Sequence, residues 1–105
     1  MSIVKINVMQ IAEGQDGEFL QRFSTRPHRI EQMDGFEGFQ VLRPNDERRT
    51  WLVVTQWRDD AAYENWYAGR PQRDPATITY ADSWELWSFD VMETATPVES
   101  QEPAQ

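Results

Sequence analysis

Asn7 is the residue whose position most needs a chemical reason. It lies in Ile3-Val4-Lys5-Ile6-Asn7-Val8-Met9, a run with the alternation and β-branched content of a strand. Side chains alternate across a strand, so Val4, Ile6 and Val8 share one face and Ile3, Lys5, Asn7 and Met9 the other. An amide in that company either meets solvent or donates a hydrogen bond into a pocket. Trp66 is the second such residue. Ala61 to Tyr67 reads as a helix that Asp59 or Asp60 can cap, with Tyr63, Trp66 and Tyr67 on one face. That aromatic face suits a core or the wall of a pocket for a flat ligand. Arg22, Arg26 and Arg29 follow at spacings of four and three on a first helix. They read as a solvated surface or as a grip on carboxylates, for which guanidinium geometry is well suited. Phe23 stands beside Arg22 in the apolar stripe of that helix. His28 is the single histidine. It is either a ligand or base, or simply a surface residue.

The elements that must position these residues are legible around Gly35–Trp66. Phe39 to Arg43 and Trp51 to Trp57 have strand composition, and the polar Arg43-Pro44-Asn45-Asp46-Glu47-Arg48 between them predicts an antiparallel hairpin. In the second strand Trp51, Val53, Thr55 and Trp57 face one way, and Leu52, Val54 and Gln56 the other. Both sets are largely apolar, so both faces need cover. Glu18 to about Met33 reads as a helix through Phe19, Phe23, Ile30 and Met33, kinked or split at Pro27. Asp34-Gly35 ends it. Gly69 ends the second helix, Arg70–Asp82 is loop-like, and Ser83–Met92 is the last strand. The order strand, helix, strand, strand, helix, strand is that of a ferredoxin-like α+β fold with an antiparallel sheet. Two helices cover one sheet face. The other face requires a second copy, so a homodimer is expected.

The 105 residues suffice for one domain, placed at 1–93. Residues 94–105 are polar, acidic and without aromatics, and are expected to be a disordered tail. Eighteen acidic against ten basic side chains, a formal charge of -8, speak against nucleic acid as a partner. No apolar run is long enough for a transmembrane helix, and no signal-peptide core opens the chain. Cysteine is absent, which excludes disulfides, thiol catalysis and Cys-ligated metal. No protein-borne metal site is assigned, and a cytoplasmic protein is the simplest expectation.

Val4-Lys5-Ile6-Asn7, Arg22-Phe23, Gly35-Phe36, Gly38-Phe39-Gln40, Leu42-Arg43-Pro44, Val53-Val54-Thr55-Gln56-Trp57 and Trp66 occur in the order and spacing of a known group. The chain resembles the antibiotic-biosynthesis-monooxygenase (ABM) superfamily, and within it the IsdG/MhuD-type heme-degrading monooxygenases. The resemblance runs from about residue 3 to about residue 92. It implies a dimeric α+β barrel with a pocket between helices and sheet. It implies catalytic roles for Asn7 and Trp66 on the distal side of heme, which would be substrate and cofactor together. It places a propionate-side arginine around Arg26, and Arg22 and Phe23 beside it are assigned to the same binding surface. The group's heme-ligating histidine has no counterpart, because alignment puts Pro75 or a neighbour in its place. Tyr80 is the substitute to consider, since tyrosine serves elsewhere as an axial ligand. His28 lies on the wrong helix for that role. Two alternatives stand beside heme degradation. One is a cofactor-free oxygenase acting on electron-rich phenols or hydroquinones; the other is a protein that binds a flat aromatic ligand without turnover.

Overall fold

A computed structural model of the chain describes residues 1–24, 29–69 and 81–98. Arg26, Pro27, His28, Pro75 and Tyr80 lie outside the described residues, as do 99–105 of the expected tail. The elements run β1 (Ile3–Ile11), α1 (Asp16–Ser24), β2 (Phe36–Leu42), β3 (Thr50–Trp57), α2 (Asp60–Ala68) and β4 (Ala81–Asp90). The four strands form one antiparallel sheet in the order β2-β3-β1-β4. This is the ferredoxin-like α+β arrangement expected from the element order.

The boundaries differ from the sequence reading in instructive ways. The described part of the first helix starts at Asp16 and ends at Ser24, and Ile30–Gln32 is a separate 3₁₀ turn. Phe19 and Ile30 are both buried, so their shared stripe marks burial rather than one continuous helix. β2 begins three residues earlier than expected, at Phe36. An irregularity between Phe36 and Gly38 shifts the register with β3 and breaks the alternation there.

Register decides which sheet face is covered. Trp51, Val53, Thr55 and Trp57 all face the helices and are buried. Two apolar clusters form there. Ile3, Ile30, Trp57, Ala62 and Tyr63 make one, with Trp66 packed against it. Ile11, Phe19, Trp51 and Val53 make the other. Phe19 meets Trp51 edge-on at 5.1 Å, and Phe36 meets Trp57 edge-on at 5.5 Å. Such contacts add about 0.5–1.5 kcal/mol each beyond burial.

The opposite face carries Val4, Ile6, Val8, Leu52 and Val54, with Trp87 and Phe89 from β4. Trp87 and Phe89 are 45% and 49% exposed, respectively. Val53 therefore belongs to the helix-side core rather than to the open face.

α2 is tightly placed. Asp59 caps it, its Oδ1 accepting from the Ala62 N–H at 2.9 Å. Gly69 closes it, donating its N–H to the Trp66 carbonyl at 3.1 Å. Gly35 adopts φ +85, and a methyl group there would lie 2.5 Å from the Ala62 Cβ. The expected glycine stop at position 35 thus has a second reason: the chain passes too close to α2 for any side chain. Next to it, the Arg58 guanidinium pairs with Asp34 at 2.9 Å. Its backbone N–H donates to the Gly35 carbonyl at 2.7 Å. Among the described residues no helix is long and apolar enough to cross a membrane.

Candidate functional site

On the helix side of the sheet, a polar band separates the two apolar clusters. Lys5 pairs with Thr55 on β3 and Ser88 on β4. The next row on this face is Asn7, flanked by Val53 and Leu86. Most of the band is internally committed. Lys5 donates to the Ser88 hydroxyl oxygen at 2.9 Å and lies 3.0 Å from Asp60 Oδ1. The Thr55 hydroxyl donates to the Lys5 carbonyl at 3.4 Å and accepts from Trp57 Nε1 at 2.9 Å. The half-buried Asn7 amide makes no side-chain hydrogen bond to the described residues. Its donors and acceptor therefore remain available on this face. An amide so placed can bond to solvent or to a ligand that enters the layer.

Trp66 stands over the other end of the same layer. Its half-buried indole is tilted against Trp57 at 5.6 Å and against Tyr63 at 6.0 Å. Tyr63 in turn neighbours Tyr67 at 5.8 Å. Trp57 is fully buried, so it is the fixed member of this group. Asn7 and Trp66 share a layer without being adjacent. Trp66 packs against the cluster that holds Ile3, and Asn7 lies four residues further along β1. Trp84 and Leu86 of β4 border the row of Met9 and Asn7 and are 44% and 48% exposed, so they offer apolar wall beside the amide.

The other sequence-derived candidates divide. Arg22 is exposed at the end of α1. Phe23 lies on the same turn. Arg26 and Tyr80 lie outside the described residues. Sequence reasoning missed Lys5 as part of the site, although a lysine between Ile3 and Asn7 on an inward face was a visible signal. A separate cavity of about 240 Å³ lies at the hairpin end, bordered by Glu13, Asp16, Arg43, Asp46 and Arg48 over Trp51. It reaches neither Asn7 nor Trp66. Among the described residues there is no cluster of three or more His, Cys, Asp or Glu fit for a metal ion.

Comparison with known proteins identifies the family and supports the fold. Residues 2–76 match the family of antibiotic biosynthesis monooxygenases. A mycobilin-producing heme oxygenase of Mycobacterium tuberculosis is 41% identical over 69 residues, which are 66% of this chain and 66% of that protein. The match thus spans just under two thirds of that relative's length. The structure of the heme-degrader MhuD from the same organism, with two hemes in its active site, superposes with a TM-score of 0.74. It is 32% identical, and the match covers 90% of this chain and 99% of that one. SnoaB, a cofactor-independent oxygenase from Streptomyces nogalater, superposes with a TM-score of 0.69. At 18% identity over 89% of this chain and 95% of that one, it shares the fold. The chain belongs to the antibiotic biosynthesis monooxygenase family.

Proposed function

We propose that the protein is a heme-degrading monooxygenase, with heme as its substrate and the layer between sheet and helices as its pocket. The observation that carries this reading is the half-buried Asn7 amide, uncommitted among the described residues, in the same layer as Trp66. The 41% identity to a heme oxygenase supports it.

Heme would bring the iron at which oxygen is activated. The chain's own residues supply the rest. The Asn7 amide N–H would be the hydrogen-bond donor available inside the pocket. Trp66, packed against Trp57, would supply an aromatic wall for the macrocycle. Phe23 packs against the ring, while Arg22 and Arg26 pair with its carboxylates. Val53, buried on β3, flanks the Asn7 amide on one side. Residues 69–80 contain no histidine. In that segment Tyr80 would be the residue to hold the iron. The active form is a homodimer joined through the Val4, Ile6, Leu52 and Val54 face, and its compartment is the cytoplasm.

Titration of the purified chain with hemin tests this. A saturable Soret shift is expected, followed by loss of the band when oxygen and a reductant are supplied. Tyr80→Phe should alter the band, and His28→Ala should leave it in place. A chain that gives no saturable shift is not a heme enzyme, and the cofactor-free oxidation of phenols would take its place.

A further inference from the structure

Lys5 is the least expected side chain of the helix-side layer. Its side chain is 11% exposed, although it is a lysine in the middle of the sheet. The ammonium has three donors, and three groups surround it. Asp60 Oδ1 on α2 is at 3.0 Å, Ser88 Oγ on β4 at 2.9 Å, and the centre of the Tyr63 ring on α2 at 4.9 Å. One head group thereby ties β1, β4 and the first turn of α2 together. Two oxygen atoms and a ring face thus surround the head group, and all three contacts are to the protein.

Stability alone is a poor reason for this arrangement. Asp60 is 69% exposed, so its pairing with Lys5 is screened by water and contributes little. Burying an ammonium is costly, and an apolar side chain of similar volume often serves a core as well or better. An apolar side chain cannot fix direction, however. The ion pair, the hydroxyl and the ring face together define one height and one rotation of α2 over the sheet.

We propose that Lys5 is a positioning residue for the pocket: it holds α2 by Asp60 and Tyr63, and so sets where the Trp66 indole stands relative to Asn7. This rests on the reading of the layer as a heme pocket. The linkage is short. Tyr63 packs on Trp66 at 6.0 Å and on Trp57 at 5.9 Å. Trp57 is tied through Thr55 to the Lys5 carbonyl. Both the side chain and the backbone of Lys5 therefore brace the group that holds Trp66, while Asn7 stands two residues away on the same face.

The test uses the full chain, with hemin as probe, and compares Lys5→Met, Asp60→Asn and the double variant. Near-ultraviolet circular dichroism of the ligand-free protein reports the aromatic group. Far-ultraviolet dichroism reports the fold. Lys5→Met is expected to keep the far-ultraviolet spectrum, weaken the near-ultraviolet aromatic bands and raise the hemin Kd by about tenfold. Asp60→Asn should shift both readouts in the same direction, and the double variant should be no worse than Lys5→Met. In a Trp66→Phe background the effect of Lys5→Met on hemin should disappear. Unchanged near-ultraviolet bands in Lys5→Met overturn the proposal, whatever hemin does. A loss of affinity in Lys5→Met with none in Asp60→Asn also overturns it, and makes Lys5 a direct ligand contact. If Lys5→Met fails to fold, Asp60→Asn alone decides by the same two spectra, since its carboxylate is exposed. If the unmodified chain binds no hemin, the heme reading fails, and the near-ultraviolet comparison still decides whether Lys5 orders the aromatic group.

Discussion

The indole Nε1 of Trp57 donates to the hydroxyl oxygen of Thr55 at 2.9 Å, two residues back on the same face of β3. Both side chains are buried. Thr55→Val removes the acceptor and leaves the indole N–H unsatisfied in an apolar cluster, at an expected cost of about 1–3 kcal/mol. Thr55→Ser keeps the acceptor and loses one methyl group, costing about 1 kcal/mol. Urea denaturation of the two variants checks the order. Equal losses would show that packing, and not the hydrogen bond, holds Trp57.

Gly35 and Gly14 provide a matched pair. Both have positive φ, +85 and +83. A methyl at Gly14 meets nothing within 4 Å, whereas one at Gly35 collides with the Ala62 Cβ. Gly14→Ala should cost about 1 kcal/mol from backbone strain alone. Gly35→Ala should cost about 2–4 kcal/mol, because strain and overpacking combine. Adding Ala62→Gly to Gly35→Ala should recover the overpacking part, apart from the helix penalty of the new glycine. No recovery in the melting temperature would place the conflict elsewhere.

Much of this was legible in the sequence, for local reasons. The hairpin, the cap at Asp59 and the parity of Asn7 depend on residues close in the chain, and the structure has them where alternation and capping rules put them. Which face of β3 is covered was not legible. Trp51-Val53-Trp57 and Leu52-Val54 are both apolar, and the choice is made by tertiary packing, with Phe19 of α1 on Trp51 and Tyr63 of α2 on Trp57. The structural part played by Lys5 was hidden for the same reason, since its partners are residues 60, 63 and 88. The early start of β2 was masked by the irregularity at Phe36–Gly38, which breaks the period that marks a strand.

The Asp59 cap predicts a pH dependence. The Ala62 N–H is the largest cause holding its carboxylate below the usual range, and the nearby Arg58 charge adds to this. A carboxylate lowered on folding stabilises the protein above its unfolded pKa of about 3.9. That contribution is lost as pH falls through the lower folded value. Asp59→Ala should therefore melt below the unmodified chain at neutral pH, and the gap should narrow as the pH drops below about 4. Melting curves across that range check it. A gap that stays constant would mean that the charged cap contributes nothing.

The open sheet face yields a prediction about assembly. Val54 lies on the face opposite the helices, and Val53 lies in the helix-side core. Val54→Lys should give a folded monomer if that face joins two copies, measured by light scattering and far-ultraviolet dichroism. Val53→Asp should instead unfold the subunit, because an unpaired carboxylate in that core costs several kcal/mol. An unmodified chain that is monomeric at micromolar concentration would remove the homodimer from the proposal.

The amide of Asn7 can be separated from its volume. It is half-buried, and its side chain makes no hydrogen bond to the described residues, so removing it breaks no contact on which the described fold depends. Asn7→Ala should change stability by no more than about 1 kcal/mol. Turnover should respond quite differently. A positioned donor that acts on developing charge is worth about 10²–10³ in rate when it is deleted. Asn7→Ala is therefore expected to lower heme oxidation by about 10²-fold while hemin still binds. Asn7→Asp keeps the size but has no N–H to donate when ionised, so it should be as slow as Asn7→Ala. Single-turnover loss of the Soret band under oxygen and reductant measures both. If Asn7→Asp retains the full rate, donation from the amide is not its role. If Asn7→Ala instead abolishes hemin binding and leaves the oxidation of phenols intact, the pocket is read correctly but its substrate is not heme.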